Sequence, residues 1–328
     1  MTFALVILLI VTVWCGFALW FGLRRSCTPR VFVLLAWGAF VFGVLIMASH
    51  GQAREAYIVL GLGAAAVLLW WLRIKPSNDR VWADDVARMT TGSVTGREVT
   101  LHNVRNFDWR TTTDYTQRWE TRSYDLERLC SLDMILSHWS MRSIAHVLMS
   151  FGFEDGAHVV FSVEIRRERD ESFSEIGGFF KEFELSIIAA DERDVIRVRT
   201  NVRGEDDYLY RIRMPADMTR SLFLAYIDQA NRLVHEPRFY NTITVNCTTL
   251  VYHMMRRIAG GLPISFRLLF SGYLPEYLYR VGGLDMRYPL AKLREMGRIT
   301  DRARAADRSP HFSAEIRDGV PRLASPRA

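Results

Sequence analysis

Three stretches at the start of the chain are apolar without interruption. TFALVILLIVTVWCGFALWFGL (2–23), VFVLLAWGAFVFGVLIMA (31–48) and YIVLGLGAAAVLLWWL (57–72) carry no charge, and each approaches the ~20 residues a helix needs to cross a bilayer core. Three membrane spans are therefore expected within residues 1–76. Buried helices of a soluble core would need three consecutive all-apolar helices joined by short polar breaks. A cleaved signal peptide would carry a basic residue ahead of the first apolar run, and none is present.

Beyond residue 75 the pattern changes. KPSNDRVWADD (75–85) ends the third helix with Pro, Ser and Asn, and residues 77–298 read as one mixed α+β domain. TGREVTLHNVRNFDWR (95–110) alternates as a strand. SIAHVLMSFGF (143–153) and AHVVFSVEIRRE (157–168) form a predicted hairpin, and DVIRVRTN (194–201) with YLYRIRM (208–214) a second strand pair. MTRSLFLAYIDQANRLVHE (218–236) has helical spacing and stops before Pro237; CTTLVYHMMRRIAGG (247–261) is a helix ending at a Gly pair. Residues 299–328 are polar and rich in Arg, Ala and Pro, and a disordered tail is expected there.

The hairpin can be read to its register. FEDGA (153–157) suits a three-residue loop with Gly156 at the left-handed position. Phe153 and Ala157 then flank the loop, and His146 falls opposite Glu164 on the same face. A two-residue Asp-Gly loop would put the two on opposite faces.

Charge changes the picture only when divided by region. The formal net charge is +6, which would suit an anionic partner. Residues 1–76 hold Arg24, Arg25, Arg30, Arg54, Arg73 and Lys75 against Glu55, so the excess belongs to the membrane flanks and no nucleic-acid partner is expected. Of four cysteines, only Cys130 and Cys247 lie in the soluble part. No Cys/His spacing suits a metal, and no cofactor is expected.

Cys247 opens its helix behind Asn246, a candidate N-cap. Unpaired amides and the helix dipole stabilise a thiolate there, and the Cys247 amide would point toward an oxyanion formed at the sulfur. A buried structural cysteine fits the same position. A nucleophile needs a base, and among the histidines of the folded part His253 faces away on the same helix, His158 sits by a turn and His235 at a helix end. His146 has a carboxylate opposite it; a sheet histidine with an ordinary hydrogen bond fits it equally.

The motifs HNVRNFDWR, RWETRSYDL, IAHVLMSFGF, FSVEIRRE, RTNVRGEDDYLY and FYNTITVNCTT, in this order, resemble the Lnb N-terminal periplasmic domain family over roughly residues 95–285. That family is similar to the circularly permuted papain-like group, which includes the permuted NlpC-type hydrolases and the lecithin retinol acyltransferases, where His precedes Cys in the chain. The resemblance implies a permuted papain-like (NlpC-like) fold with an antiparallel sheet. It also implies Cys247 as nucleophile, His146 as base and Glu164 as third member. Asn246, Asn241, Tyr240, Ser150 and Arg105, which lie in these motifs, are candidate substrate-binding residues.

The implied activity is lipoprotein N-acyl transfer, from a phospholipid to the thiol and then to the amine of a lipoprotein's N-terminal cysteine. Phospholipid, lipoprotein and the bacterial inner membrane are the implied partners. The alternatives are a thiol amidase or peptidase acting on cell-wall peptide, and a catalytically silent membrane-anchored binding module. One expectation conflicts with the family. Arg24, Arg25 and Arg30 in the first loop and Arg73, Lys75 and Arg80 after the third span would be cytoplasmic by the positive-inside rule, whereas the resemblance puts the domain in the periplasm.

Overall fold

A computed structural model describes residues 2–23 and 27–321 of the chain; Arg24, Arg25 and residues 322–328 lie outside them. The N-terminal runs form α1 (Thr2–Gly22), α2 (Cys27–Ser49) and α3 (Ala53–Arg73). Among the residues whose side chains are described, Thr28–Ser49 and Ala53–Arg73 are long and apolar enough to cross a membrane. Two candidate spans thus stand where three were expected. Leu35, Phe42 and Leu62 are exposed on α2 and α3, as suits helices whose apolar sides meet lipid rather than a protein core. The inner side of α1 packs instead on the soluble domain: Trp14 and Phe21 meet Phe180 with ring centroids 6.1 and 6.0 Å apart.

The soluble part begins with the strands β1 (Thr91–Thr95), β2 (Glu98–Arg105), β3 (Asp108–Trp109), β4 (Tyr115–Thr116), β5 (Trp119–Asp125) and β6 (Leu129–His138). It continues with β7 (His146–Phe153), β8 (His158–Arg166), β9 (Glu184–Ala190) and β10 (Asp206–Arg211). Eight of them form one sheet in the order β1-β2-β9-β8-β7-β6-β10, with β5 also on β2, and β3 and β4 form a small separate ribbon. The pairing is antiparallel except for one parallel bridge between β2 and β9. The result is the expected mixed α+β domain with a mostly antiparallel sheet.

Both faces of this sheet are covered. On one, Phe151, Phe161 and Ile187 pack against Leu222, Phe223 and Tyr226 of α5 (Ala216–His235), reached after α4 (Glu192–Arg197), and the layer continues into α6 (Thr249–Ala259) and α7 (Leu274–Arg280). On the other, Ile135, Leu148, Val160 and Ile188 meet Val195 and Ile196 of α4 and then Ile299, Ala303, Phe312 and Ile316. Those last residues come from the segment expected to be disordered. Following α8 (Leu290–Gly297), it forms α9 (Thr300–Ala305) and α10 (Phe312–Glu315). The correction has a physical cause: without this layer the sheet face would be bare, and a few apolar side chains at wide spacing cover it. Arg317 completes the contact by pairing with buried Glu192 (2.6 Å) and Asp133 (2.9 Å).

The hairpin forms as read, with Leu148 opposite Ser162 and Phe151 opposite Val159. Gly156 closes the loop at φ +84°, a backbone conformation that a side chain disfavours. The stretch 95–110 is not one strand: Gly96 turns the chain from the end of β1 into β2, a bulge interrupts β2 between Leu101 and Val104, and Asp108 and Trp109 form β3. DVIRVRTN is not a strand. Asp191 caps α4 by accepting from the Arg193 amide, and the chain continues as a π-helix, Val198–Arg203, closed by Gly204 in the left-handed region.

Candidate functional site: Cys247, His146 and Glu164

The register of four strand pairings lines up a row of polar residues across one end of the sheet. Asp207 lies opposite Ser137, Ser137 opposite His146, and Glu164 opposite Ser186; the β7–β8 register, continued by two pairs beyond Leu148 and Ser162, joins His146 to Glu164. The ionic contact agrees, with His146 Nε2 3.1 Å from Glu164 Oε1. Ser162, two residues before Glu164 and on the same face, donates its hydroxyl to Glu164 Oε1 at 2.6 Å and receives His146 Nε2 at 2.7 Å. His146 Nε2 is thus turned into the sheet, which leaves Nδ1 for the opposite side.

The thiol reaches this ring from the other chain segment. Asn246 Oδ1 accepts from the amides of Thr248 and Thr249 at 2.9 Å, and its Nδ2 donates to the Thr242 carbonyl at 2.7 Å. This cap fixes the turn that carries Cys247 just before α6 begins. Cys247 and Cys130 are free thiols, and Cys247 is 8% exposed. Burial alone would raise its pKa, yet the thiol is lowered, because it hydrogen-bonds to His146, faces its charge and receives the Val147 amide. The amide that meets the sulfur therefore comes from β7. His146 shows the reciprocal effect. Burial pulls its proton off, but the Glu164 carboxylate and the bond to Cys247 outweigh burial and the nearby Arg199, and raise it to about 9. Glu164 in turn stays well below the usual carboxylate range against the effect of burial, through His146, Arg199 and Ser162.

Behind Glu164 stands Arg199, on the π-helix. Its Nη2 lies 3.4 Å from Glu164 Oε1 and its Nη1 3.1 Å from Glu205 Oε2. The Ser137 hydroxyl lies in hydrogen-bond contact with both Glu205 and Asp207, with one proton to share between them, and burial pushes Asp207 up to about 7. π-Helical turns recur at functional sites, and this one places a single guanidinium between two carboxylates. Taken together, the cluster can hold a thiolate beside an imidazolium, with the acid that orients the ring itself held in place.

The remaining candidates divide. Asn246 shapes the Cys247 turn, as its sequence position suggests. Tyr240 is kept neutral, its pKa raised by burial and by the charges of Cys247 and Glu164. Asn241 accepts from the amides of Ile243 and Thr244 and holds the turn ahead of the cysteine. Ser150 and Arg105 are corrected. Ser150 is buried and donates to Glu192 at 2.5 Å, and Arg105 is fully engaged by both Asp194 oxygens at 2.8 and 3.0 Å. Neither is open to a substrate. Ser162 and Arg199 were missed. Ser162 was legible through its two-residue spacing from Glu164, whereas Arg199 was hidden by reading its segment as a strand.

Residues 115–272 match the family model described as Lnb N-terminal periplasmic domain, the family that the sequence motifs resemble. The matched region contains Cys247, His146, Glu164, Ser162 and Arg199, and leaves out β1 to β3 and the C-terminal layer. No curated protein and no solved structure matches the chain.

Proposed function

We propose that this chain, which carries a Lnb N-terminal periplasmic domain beside two candidate membrane spans, is a membrane-bound thiol acyltransferase. The observation that carries the reading is His146 held between the Cys247 thiol and the Glu164 carboxylate. The order His146, Glu164, Cys247 along the chain is the one a permuted papain-like enzyme requires.

The chemistry follows from the charge states. The Cys247 thiolate attacks the ester carbonyl of a phospholipid, and the tetrahedral oxyanion collapses to a thioester. The departing lysophospholipid alkoxide takes a proton from the His146 imidazolium. An amine then attacks the thioester, neutral His146 accepts its proton, and the thiolate leaves, which restores the starting pair. The candidate acceptor is the N-terminal cysteine amine of a lipoprotein, which shares the bilayer with the enzyme and the donor.

The test is the mass of the protein itself. Enzyme purified from membranes and quenched in acid should carry a fatty-acyl adduct on Cys247 that neutral hydroxylamine removes and that Cys247→Ser largely loses. A labelled-phospholipid chase should pass the label through that adduct. A thiol amidase gives no lipid mass and releases new amino termini from cell-wall peptide, and that result would replace the acyltransferase reading.

A further inference from the structure

Several segments tied to the thiol's turn carry exposed apolar side chains. The turn held by Asn241 presents Ile243, which is 49% exposed four residues before Cys247. This turn is stitched to the β8–β9 loop, for Thr242 donates its hydroxyl to the Glu175 carbonyl at 3.1 Å and its amide to the Gly178 carbonyl at 3.4 Å. The same loop exposes Ile176 and Phe179. Its next two residues reach the membrane helices: Phe180 joins the aromatic cluster of α1, and Lys181 Nζ donates to the Trp71 carbonyl at the end of α3 at 2.9 Å. Only one loop therefore separates the Cys247 turn from the ends of α1 and α3.

The other side of the site is built the same way. Ser271 exchanges hydrogen bonds with the backbone of Ala145, the neighbour of His146, at 2.8 and 2.6 Å. The segment leading to it is pinned by Tyr252 and Tyr277, which donate to the carbonyls of Leu262 and Pro263, and it leaves Phe266, Leu269 and Phe270 exposed. Arg142, Arg256, Arg257 and Arg267 lie in or beside these elements and have no carboxylate partner within 4.0 Å among the described residues. Exposed aromatic and aliphatic side chains interleaved with unpaired arginines are the composition of a surface that settles into the headgroup layer of an anionic membrane. Exposed apolar patches of this kind mark interaction sites.

We propose that this rim, formed by the Ile243 turn, the Ile176–Phe179 loop and the Phe266–Phe270 segment, docks on the anionic surface of the same membrane that anchors the chain, so that the thiol opens at the lipid interface. The surface would serve the acyl transfer proposed above but does not depend on it. Continuity through Phe180 and Lys181 with α1 and α3 identifies the occupant as lipid rather than another protein.

The test uses the full chain reconstituted in vesicles of phosphatidylglycerol or phosphatidylcholine that contain a phospholipid with a photoactivatable group on its acyl chain. After irradiation, lipid adducts should map to peptides covering 173–181, 239–247 and 262–271 as well as to α2 and α3, with several-fold more rim adducts in phosphatidylglycerol. Peptides covering 306–315 should stay unlabelled. They border the β7–β8 tip, at the far end of a strand that is about 25 Å long at ~3.3 Å per residue. Phe266→Ser with Leu269→Ser, two exposed positions, should abolish labelling of 262–271 and leave the far-UV spectrum unchanged. Adducts confined to α1, α2 and α3 would overturn the proposal. If rim adducts form in an enzyme that never carries an acyl thioester, the docking surface stands and the acyltransferase reading falls.

Discussion

Burial alone would leave His146 neutral and Cys247 protonated, so the state of the site rests on Glu164. With that carboxylate in place, the imidazolium persists up to about 9 while the thiol titrates below its ordinary range, and between the two the ion pair is the populated form. Site-resolved alkylation of Cys247 in detergent-solubilised enzyme should therefore set in below the ~8.5 of a free thiol. His146→Ala should move it to or above that value, since burial and the Glu164 charge are then opposed only by the Val147 amide. An unchanged profile would leave the thiol as an ordinary buried cysteine. The sign for Glu164→Gln is equally definite. Loss of the carboxylate removes the largest influence that raises His146, leaving only the bond to Cys247 against burial and Arg199, which both lower it. The alkaline limb of kcat/KM for acyl transfer should then fall from near 9 by more than about one unit, and a limb that stays put would show that Glu164 has no charge role.

At the scale of the elements, the hairpin that a two-residue period encodes and the Asn246 cap ahead of α6 were legible, and the π-helix that carries Arg199 was not. FEDGA with Gly156 specified the hairpin, and the hairpin specified that His146 and Glu164 share a face. DVIRVRTN misled because Val195, Ile196 and Val198 satisfy both a strand pattern and a short buried helix; the cap at Asp191 was the available signal. The C-terminal segment was illegible for a different reason. Its contribution to the core comes from isolated residues such as Phe312 and Ile316, too widely spaced to give a period, and from Arg317, whose role depends on two carboxylates more than a hundred residues away. Because Phe312 is fully buried against the sheet, Phe312→Ala should cost about 3–5 kcal/mol in denaturant unfolding. Arg317→Ala should cost a similar ~3–5 kcal/mol, since it leaves Glu192 buried without a cation, while Asp133 keeps Arg211. Losses below about 1 kcal/mol would mean that the third layer is dispensable.

The molecule as a whole poses a question of orientation that its charges and its family answer differently. The ends of α1 and α3 meet the soluble domain through Phe180 and Lys181, and Arg30 of α2 donates to the Leu23 carbonyl, so the start of α2 lies on the same side of the membrane as the domain. That side carries Arg30, Arg73 and Lys75, and the positive-inside rule would make it cytoplasmic. Arg80 is a weaker witness, because in the folded protein it belongs to the domain, paired with Glu168 at 3.1 Å and Glu184 at 3.4 Å. Against the rule stands the matched periplasmic domain, and the proposed acceptor amine becomes available only after export. Cys130 offers a native probe, as an exposed thiol on the soluble domain, with Cys247 almost closed to solvent. A membrane-impermeant maleimide added to intact spheroplasts should label the Cys130 peptide without permeabilisation, and a reporter fused after Ala328 should be active in the periplasm and silent in the cytoplasm. Labelling that appears only after the membrane is opened, with a reporter active in the cytoplasm, would vindicate the charge rule. It would exclude an exported lipoprotein as acceptor while leaving the thiol chemistry of Cys247 and His146 intact.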